Sequence, residues 1–211
     1  MARVRKIERN PKDGKNYFLV DANFLAMKYI PSKIAPNSKE KNRIDKCMEW
    51  WNEINSQLKN GKARVYVPDI CIAETFKVIA KKYYEDKWYK TSSAMNNARR
   101  RFRRDIVNKP ETLRSANRII KFHDLPTSRD VIISVDRFYR LFMKHKKKVQ
   151  LPDLIIVASA KYLIDFFDIQ KSRLHIVTLD KALWEGTKKI YELPNAYDPV
   201  QPPDYKDRIF I

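Results

Sequence analysis

Glycine, cysteine and histidine are scarce in this chain of 211 residues, which contains 3 glycines, 2 cysteines and 3 histidines. The glycines Gly14, Gly61 and Gly186 are isolated, whereas a loop that cradles a nucleotide phosphate needs several glycines close together. A glycine-rich dinucleotide site is therefore excluded. Cys47 and Cys71 lie far apart and lack the paired spacing of a zinc site, so we expect two reduced, buried thiols and no zinc.

Long hydrophobic runs are also absent. No apolar segment approaches the roughly 18 residues of a membrane-spanning helix, and the charged residues 1–6 are not followed by the apolar stretch that a secretory signal requires. Hydrophobic residues nevertheless make up 44% of the chain, which is enough for one sizeable core. We therefore expect residues 1–211 to form a single soluble domain in the cytoplasm, without membrane contact.

Positive charge, by contrast, is abundant. The chain has 44 Lys and Arg residues against 25 Asp and Glu residues, which gives a formal net charge of +19. Such an excess predicts attraction to a polyanion, and nucleic acid is the expected partner. Residues 81–121 hold 13 of the basic residues against 4 acidic ones, so this short segment carries a large part of the excess.

We interpret residues 81–121 as a basic, aromatic-rich helical insertion with a turn near Asn108, ahead of Pro110. A basic face with interleaved aromatic rings suits an RNA strand, because phosphates bind the cations and unstacked bases bind the rings. The alternative is a merely solvated basic helix whose aromatic side chains pack inward. The residues expected to contact nucleic acid are Lys81, Lys82, Lys87, Trp88, Arg99, Arg100, Arg101, Arg103 and Arg104.

Short apolar runs alternate with helix-period segments along the rest of the chain. The runs that predict strands are residues 17–20, 64–67, 175–179 and 189–192. Strands separated by helices predict an α/β fold, a three-layer α/β/α sandwich with a central parallel sheet. Residues 193–211 are rich in proline and are expected to form an extended tail on the surface.

Four acidic residues stand where a carboxylate is costly. Asp21 and Asp180 end two predicted strands, and Glu74 and Asp153 lie near the starts of predicted helices. Ligands of parallel α/β sheets gather beyond the carboxyl ends of the strands, so we expect the four acids to converge there. Clustered carboxylates near a core repel one another and lose hydration, which a divalent cation relieves.

Each of these acids also has a purely structural interpretation. Asp21 and Asp180 could cap helices that follow strands, and Asp153 could favour the dipole of its own helix. Glu74 could pair with Lys77 three residues further along the same helix. The four together favour a functional site, because perturbed carboxylates that cluster at a sheet edge are a functional signature.

In order along the chain, these residues resemble the motifs of the PIN-domain family of metal-dependent nucleases, which includes the ribonuclease toxins of VapBC toxin–antitoxin pairs. Residues 20–23 resemble the motif that ends the first strand, and residues 67–74 are similar to the strand, turn and helix that present the family's Glu. Residues 151–160 resemble the helix of the third acid, and residues 177–180 the closing Thr-x-Asp strand. The segment 81–121 is longer than a compact PIN domain needs.

The resemblance implies a metal-dependent endoribonuclease that uses Mg²⁺ or Mn²⁺ and acts on RNA, with a cognate antitoxin and a homodimer as further partners. It also implies four metal ligands and two supporting polar residues, which are Asp21, Glu74, Asp153 and Asp180 as ligands and Asn23 and Thr178 as support. Two alternatives stay open. One is a non-catalytic nucleic-acid-binding protein with the same fold, and the other is a nuclease that acts on structured DNA.

Overall fold

A computed structural model of the protein describes residues 14–107, 120–201 and 209–210. Its five strands are β1 (Asn16–Val20), β2 (Ala63–Pro68), β3 (His123–Leu125), β4 (Leu174–Val177) and β5 (Ala196–Tyr197). The α-helices within these residues are α1 (Ala22–Met27), α2 (Ser38–Lys59), α3 (Asp69–Tyr84), α4 (Ser92–Ile106), α5 (Arg129–Lys144), α6 (Leu151–Phe167) and α7 (Lys181–Thr187). Short 3₁₀ helices lie at Ser32–Ile34 and Lys171–Arg173.

The strands form one parallel sheet in the order β3-β2-β1-β4-β5. Strand β1 lies at its centre, paired with β2 on one side and β4 on the other. Every residue of β1 and β4 is buried, which requires helices on both faces of the sheet. The predicted α/β fold with a central parallel sheet and flanking helices is confirmed.

Helix α2 forms where its apolar residues recur at helical spacing. The Asn37 side chain caps its start by accepting a hydrogen bond from the Glu40 amide at 2.9 Å, and the buried stripe includes Cys47 and Trp51. The helix ends before Gly61, whose positive φ of 67° a residue with a side chain rarely adopts. Cys47 and Cys71 are both free and buried, as expected.

The outer strands differ from the prediction. Residues 189–192 form turns, because the amide of Ile190 bonds back to the carbonyl of Thr187 and the amide of Leu193 bonds back to the carbonyl of Ile190. The strand next to β4 is instead β5, inside the proline-rich tail. Strand β3 was not predicted at all, because three residues are too few to show an alternating pattern.

The tail does not simply lie on the surface. Its buried residues include Leu193 and Ala196, and further along the chain Ile209 is 4% exposed. The carbonyl of Ile209 accepts a hydrogen bond from Asn16 Nδ2 at 2.7 Å, at the start of β1. The described part of the tail therefore closes one side of the core.

The basic segment contains α4, which follows α3 after a loop. The Thr91 side chain caps α4 by accepting a hydrogen bond from the Ala94 amide at 3.2 Å. The predicted turn near Asn108 lies outside the described residues. No helix in the described ranges combines the length and the apolar character needed to cross a membrane.

Candidate acidic site at the carboxyl edge of the sheet

Asp21 follows directly on β1 and is 3% exposed. Its amide donates to the carbonyl of Val177, the last residue of β4, at 3.0 Å. Its carboxylate oxygen Oδ2 accepts a hydrogen bond from the hydroxyl of Thr178 at 3.0 Å. The ends of the adjacent strands β1 and β4 thus hold Asp21 beside Thr178.

Thr178 connects two of the acids. Besides donating to Asp21, its buried hydroxyl accepts a hydrogen bond from the Asp180 amide at 2.9 Å. Asp180 in turn caps α7, because its Oδ1 accepts a hydrogen bond from the Leu183 amide at 2.7 Å. Asp180 therefore caps a helix, as one interpretation of the sequence predicted. The capping bond uses Oδ1 and does not involve the second carboxylate oxygen, Oδ2.

Asp153 lies in the first turn of α6, after Pro152. Its Oδ2 accepts a hydrogen bond from the Gln150 amide at 3.1 Å. Burial, and then the charges of Asp180 and Asp21, raise the pKa of Asp153 to about 7, although the Gln150 amide opposes the rise. A carboxyl group in this state is half protonated near neutral pH when no cation is present.

Glu74 lies in the second turn of α3 and is partly buried. Burial and then the Asp21 charge raise its pKa, while Lys77 lowers it. Burial also raises the pKa of Asp21; the Thr178 hydroxyl opposes this rise and the Asp180 charge adds to it. The pKa of each of these two carboxyls is thus raised by the charge of at least one other of the four acids.

The four acids consequently share one electrostatic environment, which we call the acidic edge (Asp21, Glu74, Asp153 and Asp180). None of them forms an ion pair with a lysine or arginine of the described ranges. Cys71 is buried next to this edge. Burial raises the pKa of its thiol well above the usual value, and Asp21 and Glu74 raise it further.

The acidic edge fits a hard divalent cation in the type and charge of its donors, because Mg²⁺ and Mn²⁺ prefer carboxylate oxygens. As the side chains stand, however, no three His, Cys, Asp or Glu residues of the described ranges form a group that could hold a metal ion. The helix amides engage one oxygen each of Asp153 and Asp180. Asn23 is exposed at the start of α1.

The arginines of α4 divide between two faces of that helix. Arg99, Arg100 and Arg103 line a cavity of about 850 Å³ together with Phe76 of α3. We call this cavity the arginine groove. Its other lining residues are Ser92, Ser93, Asn96, Ile106 and Val107. No carboxylate of the described ranges lines the groove, so its charge is uncompensated.

Arg101 faces away from this groove and lines a smaller cavity beside Tyr29. Arg104 is exposed. The charges of both arginines act on the hydroxyl of Tyr29, where they oppose the rise in pKa that burial causes. Five arginines that are neighbours in sequence therefore do not form one binding surface.

In the first part of the basic segment, residues 81–88, two lysines form ion pairs with acidic residues of the same segment. Lys81 lies 3.5 Å from Glu85 and Lys82 lies 2.7 Å from Asp86. Trp88, which the sequence marked as a contact for nucleic acid, is 9% exposed, and Lys82 Nζ lies 3.7 Å from the centroid of its ring. The ring packs inward and is covered, so it offers no open face for a base. Lys87 is exposed.

No protein-family model and no curated protein matches the sequence. Among solved structures, the chain is similar to FitAcB from Neisseria gonorrhoeae, with 18% identity and a TM-score of 0.50 over 86% of this chain and 97% of that one. It is also similar to FitAB bound to an IR36 DNA fragment, with 16% identity and a TM-score of 0.52 over 87% and 96% of the two chains. VapBC2 from Rickettsia felis, bound to a DNA fragment from its promoter, aligns with 12% identity and a TM-score of 0.49 over 86% and 98%.

At identities of 18% and 16%, the alignments with FitAcB and FitAB are evidence about the fold alone. They extend over most of both chains, and in this protein the sheet is parallel with β1 at its centre. The protein therefore has the PIN-like α/β fold that its motifs predicted.

Proposed function

We propose that the protein is a divalent-metal-dependent ribonuclease that hydrolyses phosphodiester bonds in RNA. One observation carries the proposal. Four carboxylates from four segments influence one another at the carboxyl edge of the sheet, and no lysine or arginine of the described ranges pairs with any of them. Such a cluster is costly to the fold and useful to a metal enzyme.

Asp21 and Asp153 are the proposed direct metal ligands. The 3.0 Å bond from Thr178 to Asp21 fixes the orientation of that carboxylate, in the way that neighbouring hydrogen bonds orient metal ligands generally. Glu74 and Asp180 would hold a second ion or orient the attacking water. A bound Mg²⁺ or Mn²⁺ supplies Lewis-acid polarisation of a phosphoryl oxygen and stabilises the charge of the leaving oxygen.

The arginine groove is the proposed track for the RNA backbone. Arg99 and Arg103 are one helical turn apart on α4, and the groove also borders α3, the helix that carries Glu74. Arginine suits this role because its planar guanidinium can make two parallel hydrogen bonds to a phosphate. The choice of RNA over DNA follows the resemblance to the VapBC toxins, and so do a cognate antitoxin, a homodimer and a cytoplasmic location.

A second candidate function is nucleic-acid binding without catalysis. It is favoured by the capping bonds of Asp153 and Asp180, because these acids already stabilise helix starts. In that case the acidic edge would be a structural feature, and RNA would be bound and released intact.

The experiment that decides between them is incubation of the purified protein with total RNA and Mn²⁺, with and without a chelator, followed by mapping of the cut ends. Cleavage that stops with chelator is expected. An Asp153→Asn variant should lose that cleavage, whereas Asp165→Asn should keep it, because Asp165 lies on the same helix but pairs with Lys161 on an exposed face. Binding of RNA without cleavage in the presence of any divalent metal would contradict the proposed nuclease activity. A preference for branched DNA over RNA would contradict RNA as the substrate.

A further inference from the structure

A second polar cavity, with a volume of about 590 Å³, lies away from the acidic edge. It is formed by the last turns of α2, the residue that follows α1, one residue of α4 and one residue shortly before β3. We call it the lysine pocket. Its lining residues are Lys28, Asn52, Asn55, Ser56, Leu58, Lys59, Asp105 and Lys121. None of the four acids of the acidic edge lines it.

Lys28 is the unusual group in this pocket. Its side chain is partly buried, and its Nζ lies 4.6 Å from the centroid of the Trp51 ring and 4.6 Å from that of Phe122. Ring faces attract an ammonium group but accept no conventional hydrogen bond from it. Within the described ranges Lys28 makes no ion pair, so it has three donors and no carboxylate to receive them.

The electrostatics of Lys28 agree with this geometry. Burial lowers the pKa of Lys28 to about 8, and Lys121 and Arg101 lower it further, while Asp105 opposes the decrease. A partly desolvated ammonium whose one nearby carboxylate, Asp105, is already engaged by Lys121 and Tyr29 is held at a cost to the fold. An anion in the pocket would remove that cost.

Most of the other residues that line the pocket also carry hydrogen-bond donors. Among the lining residues, Asp105 is the one carboxylate, and it is already engaged by Lys121 at 2.8 Å and by the Tyr29 hydroxyl at 3.2 Å. Lys59 is exposed at the rim. Asn52, Asn55 and Ser56 add neutral donors from one stretch of α2. Three lysines thus line the pocket against one carboxylate, and Lys121 already pairs with it, which leaves Lys28 and Lys59 without an ion pair among the described residues.

We propose that the lysine pocket binds a phosphate group, with Lys28 at its floor and Lys59 at its rim. A phosphate has several acceptor oxygens and a double negative charge, which matches several converging ammonium, amide and hydroxyl donors. A metal cation is repelled by the same three lysines. The volume exceeds that of a free phosphate ion, so the pocket also admits a phosphate carried by a larger molecule such as a nucleotide or an RNA end.

Calorimetric titration with inorganic phosphate, in chelator-containing buffer, tests this proposal on the full chain. One phosphate is expected to bind per chain. Lys28→Met keeps the aliphatic stem between the two rings but removes the charge, and it should weaken binding by about tenfold or more. Lys59→Met should weaken it by a smaller factor without any risk to the core, because Lys59 is exposed.

Lys41→Met is the matched control, since Lys41 is an exposed lysine of α2 that does not line the pocket. Its phosphate affinity should equal that of the wild type. A second readout does not depend on affinity. Saturating phosphate should raise the pKa of the Lys28 ammonium, and NMR of the side-chain carbon bonded to Nζ measures that pKa. Phosphate binding that is absent at millimolar concentration, or equally strong in Lys28→Met, would overturn the proposal.

The source of the phosphate is resolved by two oligoribonucleotides that differ only in a 5′-phosphate or a 5′-hydroxyl. A preference for the phosphorylated oligonucleotide that disappears in Lys28→Met supports an RNA end as the ligand, and equal affinity with retained inorganic phosphate binding supports a free phosphate or a nucleotide. Because all of these measurements are made without divalent metal, they stand even if the acidic edge proves to have no nuclease activity.

Discussion

The acidic edge and the arginine groove hold their charges in opposite ways. Asp21 is 3% exposed, and its backbone is tied to the end of β4, so the core of the protein fixes its position. Arg99 and Arg103 lie on an exposed face of α4, where water reaches them easily. Charged groups held by the core can form a site of defined geometry. Charged groups on a solvated helix can bind a flexible polyanion, because such binding does not require fixed positions.

The comparison predicts that chemistry and binding can be separated. Asp21→Asn should reduce RNA cleavage by about 10³-fold or more, because it removes a proposed metal ligand. It should change RNA affinity in chelator by less than about twofold, since it leaves the arginine groove intact. Cleavage rates and filter-binding affinities of the same preparation measure the two effects. A variant that retains metal-dependent cleavage would contradict the assignment of Asp21.

The acidic edge should also destabilise the protein when metal is removed. The folded state raises the pKa of Asp153 to about 7, above the ordinary value of 3.8. Between these values the folded chain binds a proton that the unfolded chain does not, so the free energy of unfolding falls as the pH rises through this window. The full shift corresponds to about 4 kcal/mol, which screening by solvent around a partly exposed carboxyl reduces to about 2 kcal/mol.

Asp153→Asn removes this titration. In chelator at pH 8 the variant should therefore be more stable than the wild type by about 1–2 kcal/mol, and near pH 4 the difference should vanish. Urea unfolding at the two pH values measures the difference, with Asp165→Asn as the control, which loses only the exposed pair with Lys161 and should change the free energy of unfolding by less than about 0.5 kcal/mol. Equal stability of variant and wild type at pH 8 would show that the carboxyl is adequately solvated.

The arginine groove should behave in the opposite manner. Replacing Arg99 and Arg103 together by Gln should lower RNA affinity by about tenfold and flatten its salt dependence by about one to two logarithmic units of slope, while unfolding in chelator changes little. As single variants, Arg101→Gln should weaken RNA affinity less than Arg99→Gln, since Arg101 lines a different cavity. Equal losses at Arg99 and Arg101 would show that both faces of α4 contact RNA.

Thr178→Val should weaken the acidic edge only in part. It removes the hydroxyl that bonds to both Asp21 and the Asp180 amide, and it should weaken Mn²⁺ binding by about tenfold without abolishing it. Thr178→Ser restores the hydroxyl and should restore affinity. Failure of Ser to rescue would indicate that the methyl group, packed in the core, matters more than the hydrogen bonds.

The sheet and the acidic edge could be predicted because their signals are local. Residues 17–20 form a wholly apolar run followed by Asp21, and a parallel strand ends where its apolar run ends. Four acids at strand ends and helix starts come within electrostatic reach of one another because the carboxyl ends of parallel strands share one edge. The sequence motif marked Thr178 as a supporting residue. Its hydrogen bonds to both Asp21 and Asp180 became visible only in the structure, because they depend on the pairing of β1 with β4.

Other features depend on contacts between distant segments, which no local pattern encodes. Strand β5 has two residues and exists because β4 offers it a partner. Trp88 looks like a base-stacking residue in sequence, but the core and Lys82 cover its ring. The lysine pocket needs Trp51 and Phe122 to meet around Lys28, and these residues come from three separate parts of the chain.

The central claim is that the acidic edge binds a divalent cation, and thermal unfolding with increasing Mn²⁺ tests it most directly. At a concentration about 100 times the dissociation constant, binding should stabilise the wild type by about 2.7 kcal/mol, a rise in Tm of roughly 5–10 °C for a chain of this size. Asp21→Asn should show almost none of this rise, and Asp165→Asn all of it. An equal rise in Asp21→Asn and wild type, or no rise in the wild type, would contradict the claim.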